Sequence, residues 1–109
     1  MNLQLAGHTV NAERLGAVLA PWMKEQRWFN GKDDVIRRVA VDDAFAIAAP
    51  NAHADAAPAG YVLKTTVQHE RAPDVTYYVA LAEARGAAAT HGPAIDTEHG
   101  VLHLREGMD

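Results

Sequence analysis

Apolar residues early in the chain fall at spacings of three and four: Leu15, Val18, Leu19, Trp22 and Met23. That spacing is the stripe of an amphipathic helix. Asn11 is suited to cap its N-terminus, and Glu13 falls in the first turn, facing the positive end of the helix dipole. Arg14, Lys24 and Glu25 lie off the stripe. Pro21 interrupts it and removes the backbone bond to Ala17. The pattern therefore predicts a kink, or two abutting helices over residues 11–20 and 21–26. Upstream, Leu3, Leu5 and Val10 are spread around Gly7, so residues 1–9 read equally as a short edge strand or a frayed end.

From residue 35 the period changes to two. Val35, Val39 and Val41 share one face of a strand over residues 35–42, with Arg37 the exception on it. Asp42-Asp43 breaks the run, and Phe45, Ile47 and Ala49 resume the alternation as a second short strand. Residues 50–60 hold prolines, a glycine and alanines and read as a loop. Residues 61–68 and 76–82 alternate well, with Tyr77, Val79 and Leu81 on one face of the latter. The link over residues 69–74 suits an antiparallel hairpin with a longer loop. Residues 86–93 read as a small, flexible link, 94–96 as a brief extended piece and 100–105 as a last strand. A helix followed by strands predicts an α+β fold, one helical layer on an antiparallel sheet of about five strands, in a single domain over residues 1–109.

Between the helical and the strand pattern lies the densest aromatic stretch, residues 22–32, with both tryptophans and Phe29. Such rings are a large apolar load for a small domain. Gly31 supplies the permissive backbone a corner needs. The corner Trp22, Gln26, Arg27, Trp28, Phe29, Gly31 and Lys32 is expected to fasten helix to sheet and to offer a docking surface. Composition sharpens this. Hydrophobic content is 49% but alanine inflates it, so the larger side chains must build the core. Net charge is −4, and the ten Lys and Arg are scattered, which argues against a nucleic-acid partner. No apolar run is long enough to span a membrane and no signal peptide is visible. Cysteine is absent, which fits a cytoplasmic location and excludes thiolate metal sites.

Candidate chemistry is thin. Gly31-Lys32 lacks the preceding glycine and following Ser or Thr of a phosphate loop; Gln26 and Asp33 stand there. Arg27 reads either as a cation held on a ring or, more simply, as the partner of Asp42 or Asp43. Glu98, His99 and His103 form the densest metal-like cluster, with His99 and His103 on one face if both are on a strand; three or four ligands of defined geometry are required. Ordinary surface histidines explain them better, and no metal or cofactor is expected. His8 and His69 read as loop residues without partners, as do His53 and His91. Serine is absent as well as cysteine, which excludes the usual nucleophiles.

Trp22, Gln26-Arg27-Trp28-Phe29, Gly31-Lys32 and the strand ending Val39-Ala40-Val41-Asp42-Asp43 resemble the N-terminal cap domain of actinobacterial maltokinases. The segment 97–102 also resembles short free-standing cap-like proteins, some with a glucan-branching label. The resemblance implies helices on a curved antiparallel sheet with a cystatin-like flavour. It implies a setting in trehalose, maltose, glycogen or aminosugar metabolism, with a sugar kinase or trehalose synthase as partner. It brings no catalytic residues, because the catalytic groups of those kinases lie in the body beyond the cap. The leading expectation is a non-catalytic accessory domain that docks on or modulates such a partner, and self-association is left open. The alternative is a small-ligand module for a sugar or sugar phosphate, with Arg27, Tyr61 and Tyr77 lining a pocket on the concave sheet face.

Overall fold

The computed structural model describes residues 1–48, 58–84 and 92–107. Its elements are β1 (Asn2–Leu5), β2 (His8–Asn11), α1 (Ala12–Lys24), β3 (Ile36–Ile47), β4 (Gly60–His69), β5 (Val75–Glu83), β6 (Ala94–Thr97) and β7 (Gly100–Glu106). Strands β3-β4-β5-β7-β6 form an antiparallel five-stranded sheet, curled into a half-barrel. The expected α+β architecture is therefore found. Helix α1 fills the hollow. Its buried positions Ala12, Leu15, Gly16, Leu19 and Met23 repeat at helical spacing, with Val18 and Trp22 half-buried beside them. They pack on Val39, Val41, Leu63, Val67, Val79, Leu81, Leu102 and Leu104 in one core cluster.

Asn11 caps the helix as expected, its side chain accepting from the Arg14 N–H at 3.0 Å. Residues 12–24 form one helix with Pro21 inside it, not an abutting pair. Pro21 is exposed, so water can satisfy the Ala17 carbonyl it abandons. Leu15, Leu19 and Met23, all 0% exposed, anchor both sides of the proline to the same core.

The N-terminus is neither frayed nor a single strand. It is a hairpin, with Asn2 opposite Asn11 and Leu5 opposite His8. Ala6 and Gly7 turn it with φ of 50° and 79°. Two successive positive φ values make the tight turn that matches hairpin twist. Alanine is costly there, and the Tyr61 hydroxyl holds it by accepting from the Ala6 N–H at 2.7 Å. Leu3, Leu5 and Val10 join the core.

The two short strands expected on either side of Asp42-Asp43 are one strand, β3. Its register against β4 slips between Ile36 and Arg38 and again between Val41 and Asp43. Each slip inserts an extra residue, Arg37 and Asp42, which reverses the alternation. Hence Val35 lies outside the strand and is 54% exposed, while Ile36 packs against the core. Beyond the second slip Ala44 faces the core and Phe45 turns outward, 47% exposed. Ala49, and most of the expected loops 50–60 and 86–93, lie outside the described residues. The hairpin β4–β5 and the strands β6 and β7 stand within a residue or so of their expected limits.

Candidate functional site

Helix α1 ends at the aromatic stretch. The Gln26 side-chain amide donates to the Trp22 carbonyl at 2.9 Å, and the Gln26 backbone N–H to the Met23 carbonyl at 3.0 Å. These bonds satisfy carbonyls that the last helical turn leaves open. The chain then drops its rings onto the sheet. Phe29 is buried and stacks on Tyr77, with ring centroids 5.3 Å apart and planes 20° apart. Trp28 tilts against Tyr77 at 5.5 Å and meets Trp22 and Phe29 edge-on at 6.1 and 6.4 Å. Its indole N–H donates to the Glu106 carboxylate at 2.8 Å. The Tyr77 hydroxyl accepts from the Asn30 N–H at 3.0 Å. Edge-to-face and stacked rings of this kind add to the stability their area alone provides.

Gly31 turns the corner with φ 79°, and a methyl there would stand 3.0 Å from the His69 ring. Asp34 then locks the corner to the β4–β5 loop. Its carboxylate accepts from the Ala72 N–H at 2.9 Å, the Arg71 N–H at 3.1 Å and the Val35 N–H at 2.9 Å. The Ala72 bond first, then those of Arg71 and Val35 and the nearby His69, hold this carboxyl below its usual range, against a partial desolvation. His69 closes β4 rather than lying in a loop. Its ring is sealed under Phe29 and Gly31, with Nδ1 3.9 Å from Asp34.

The structure thus brings Trp22, Gln26, Trp28, Phe29 and Gly31 together, and adds Tyr77, Glu106, Asp34 and His69. Arg27 and Lys32 remain on the surface. The expected pairing of Arg27 with Asp42 or Asp43 is absent. Asp42 accepts from the Thr66 hydroxyl, Asp43 from the Ala44 N–H, and Arg27 has no polar partner among the described residues. Beside Trp28 a cavity of about 340 Å³ opens between Tyr77, Tyr78, Ala80 and Glu106.

Arg27, Tyr61 and Tyr77 do not frame a pocket on the concave face, because α1 occupies that face. Tyr61 is buried under the N-terminal hairpin, Tyr77 floors the corner, and Arg27 points to water. Glu98 and His99 lie in the turn before β7, not on it, and are largely exposed, 3.6 Å apart. His103 stands on β7, half-buried. Among the described residues no group of His, Asp or Glu is arranged to hold a metal ion. His8, expected in a loop, sits on β2 with Nδ1 2.6 Å from the Thr97 hydroxyl.

No helix among the described residues is long and apolar enough to cross a membrane. Comparison with curated proteins and with solved structures finds no match. A family model does match, over residues 22–109, and its first matched residue is the tryptophan that opens the aromatic corner. The chain belongs to the maltokinase N-terminal cap domain family.

Proposed function

We propose that this chain is a non-catalytic accessory domain, one unit over residues 1–109, that docks on a sugar kinase or glycan-processing partner and modulates it. Trehalose, maltose, glycogen or aminosugar metabolism is the setting, and the absence of cysteine fits a reducing cytoplasm. Membership of a cap family supports the accessory role. The observation that carries the docking reading is the half-buried Trp28. It is fixed on Tyr77 and Glu106, leaves a cavity at its side, and has Arg27 next to it in sequence and Lys32 just beyond the Gly31 turn, both exposed and unpaired among the described residues. Anchored aromatic rings and arginines are the side chains that dominate binding energy at interfaces. Titrating the purified chain into a maltokinase body whose own cap has been deleted tests this by calorimetry. Saturable binding supports the proposal, and no heat at tens of micromolar contradicts it.

The cavity at Trp28 also favours a second reading, a sugar-binding module, at a place other than the concave face. A thermal-shift screen with ATP, maltose, trehalose, glucosamine and their phosphates separates the two. A rise of several degrees with one sugar supports the module, because specific binding stabilises the native state.

A further inference from the structure

The N-terminal half of α1 meets the hairpin of β6 and β7 along a cleft of about 360 Å³, whereas the aromatic corner lies beyond the C-terminus of the helix. Arg14, Ala17 and Val18 form the helical wall, because residues three and four apart share a face. Ile95, Asp96 and Val101 form the facing wall, with Asp96 and Val101 opposite each other in the strand register. Among the described residues no aromatic ring lines this cleft.

Neither of its charges serves the element that carries it. Arg14 stands in the first turn of α1, where a cation faces the positive end of the helix dipole. Its backbone N–H goes to the Asn11 cap, but its guanidinium has no polar partner among the described residues. Asp96 lies inside β6, where aspartate is a poor strand former, and its carboxylate has no polar partner there either. The two charges thus line one cleft without pairing with each other. Val101 adds an apolar side chain that is 51% exposed. Residues that contradict their local structure without a compensating contact are where functional sites are found.

We propose that this cleft binds a free aliphatic amino acid of the leucine type. Opposite charges on facing walls complement a zwitterion. The Arg14 guanidinium takes the carboxylate, for which its planar fork is suited, and the Asp96 carboxylate takes the ammonium group. The branched side chain lies on Ala17, Val18 and Val101, where burial of its methyl and methylene groups supplies selectivity. A sugar phosphate matches less well, because Asp96 repels the phosphate and no ring is present for the sugar to stack on. The cleft is separate from the docking corner, and its assignment stands whether or not that corner docks.

Calorimetric titration of the whole chain with leucine tests it, beside glycine, leucinamide and isocaproate, which lack the side chain, the carboxylate and the ammonium group in turn. Leucine is expected to bind saturably and to raise the melting temperature, since binding to the native state stabilises it. Each control should bind at least about tenfold more weakly, as loss of a charged hydrogen bond or of several buried methylenes requires. Arg14→Gln and Asp96→Asn change exposed side chains, so each should keep the melting temperature of the unliganded chain while weakening leucine at least about tenfold. No heat with leucine at about 10 mM overturns the proposal. So does native affinity in both variants. Equal binding of leucine and its controls, or binding of maltose that both variants lose, overturns the choice of ligand.

Discussion

The Trp28 indole donates to Glu106 at 2.8 Å across 78 positions of sequence, so the turn after the helix is fastened to the end of the last strand. Trp28→Phe removes that bond and keeps a ring on Tyr77. The expected loss is about 1 kcal/mol, the usual net value of one hydrogen bond. Trp28→Ala also removes the ring and should cost roughly 3 kcal/mol, the low end for large aromatics because the site is half-buried. Urea denaturation of both variants measures the difference, and equal losses would mean that the ring contributes nothing beyond its N–H.

Gly16 lies under the Val39 carbonyl, and an added methyl would overlap it. In an open helix Gly→Ala stabilises by roughly 0.5–1 kcal/mol. Here the sign should reverse, because the obstacle is backbone and cannot rotate away. Gly16→Ala is expected to destabilise by about 2 kcal/mol, in the range for overpacked cores. A raised melting temperature would show that α1 rides higher on β3.

Pro21 gives the opposite case. It is exposed inside a continuous helix and leaves one carbonyl without its intrahelical partner. Pro21→Ala restores that bond and should raise stability by 1 to about 3 kcal/mol, as proline is the poorest interior helix residue. Thermal unfolding followed by circular dichroism checks it. A loss would mean that the ring itself packs against the corner.

Asp34 sets an acid limit. Its carboxyl ionises below the ordinary value of 3.8 in the folded chain, chiefly through the Ala72 N–H. A lowered folded value contributes stability above the unfolded value, and that contribution is lost as pH falls through the folded one. Asp34→Asn should therefore be less stable than the native chain at neutral pH, with the gap closing in acid below 3.8. A gap that stays constant on acidification would remove the role given to this charge.

Much of the sheet is legible in the sequence, because β4, β5 and β7 alternate without interruption and their turns carry glycine or proline. The aromatic corner is legible because residues 22–32 concentrate rings between two periodicities. What escapes the sequence depends on contacts distant along the chain. The Ala6-Gly7 turn lacks the usual Asn-Gly signal and relies on Tyr61, 55 positions away. Asp42-Asp43 reads as a break because a bulge and a break look alike when only alternation is visible. His69 reads as a loop residue and Glu106 lies just past the expected last strand, yet one is sealed under Phe29 and Gly31 and the other receives the Trp28 indole. Neither arrangement has a local signal. Arg27 looks like half of an ion pair, but the carboxylates proposed for it bond to Thr66 and to the backbone instead.

The aromatic corner is proposed to dock on a sugar kinase or glycan-processing partner. Arg27→Glu with Lys32→Glu tests it most directly, since both side chains are exposed and have no polar partner among the described residues. Calorimetric titration of the double variant into the cap-deleted maltokinase body should show affinity reduced at least tenfold, with the melting temperature unchanged. Native affinity in the variant with both charges reversed would contradict the docking proposal.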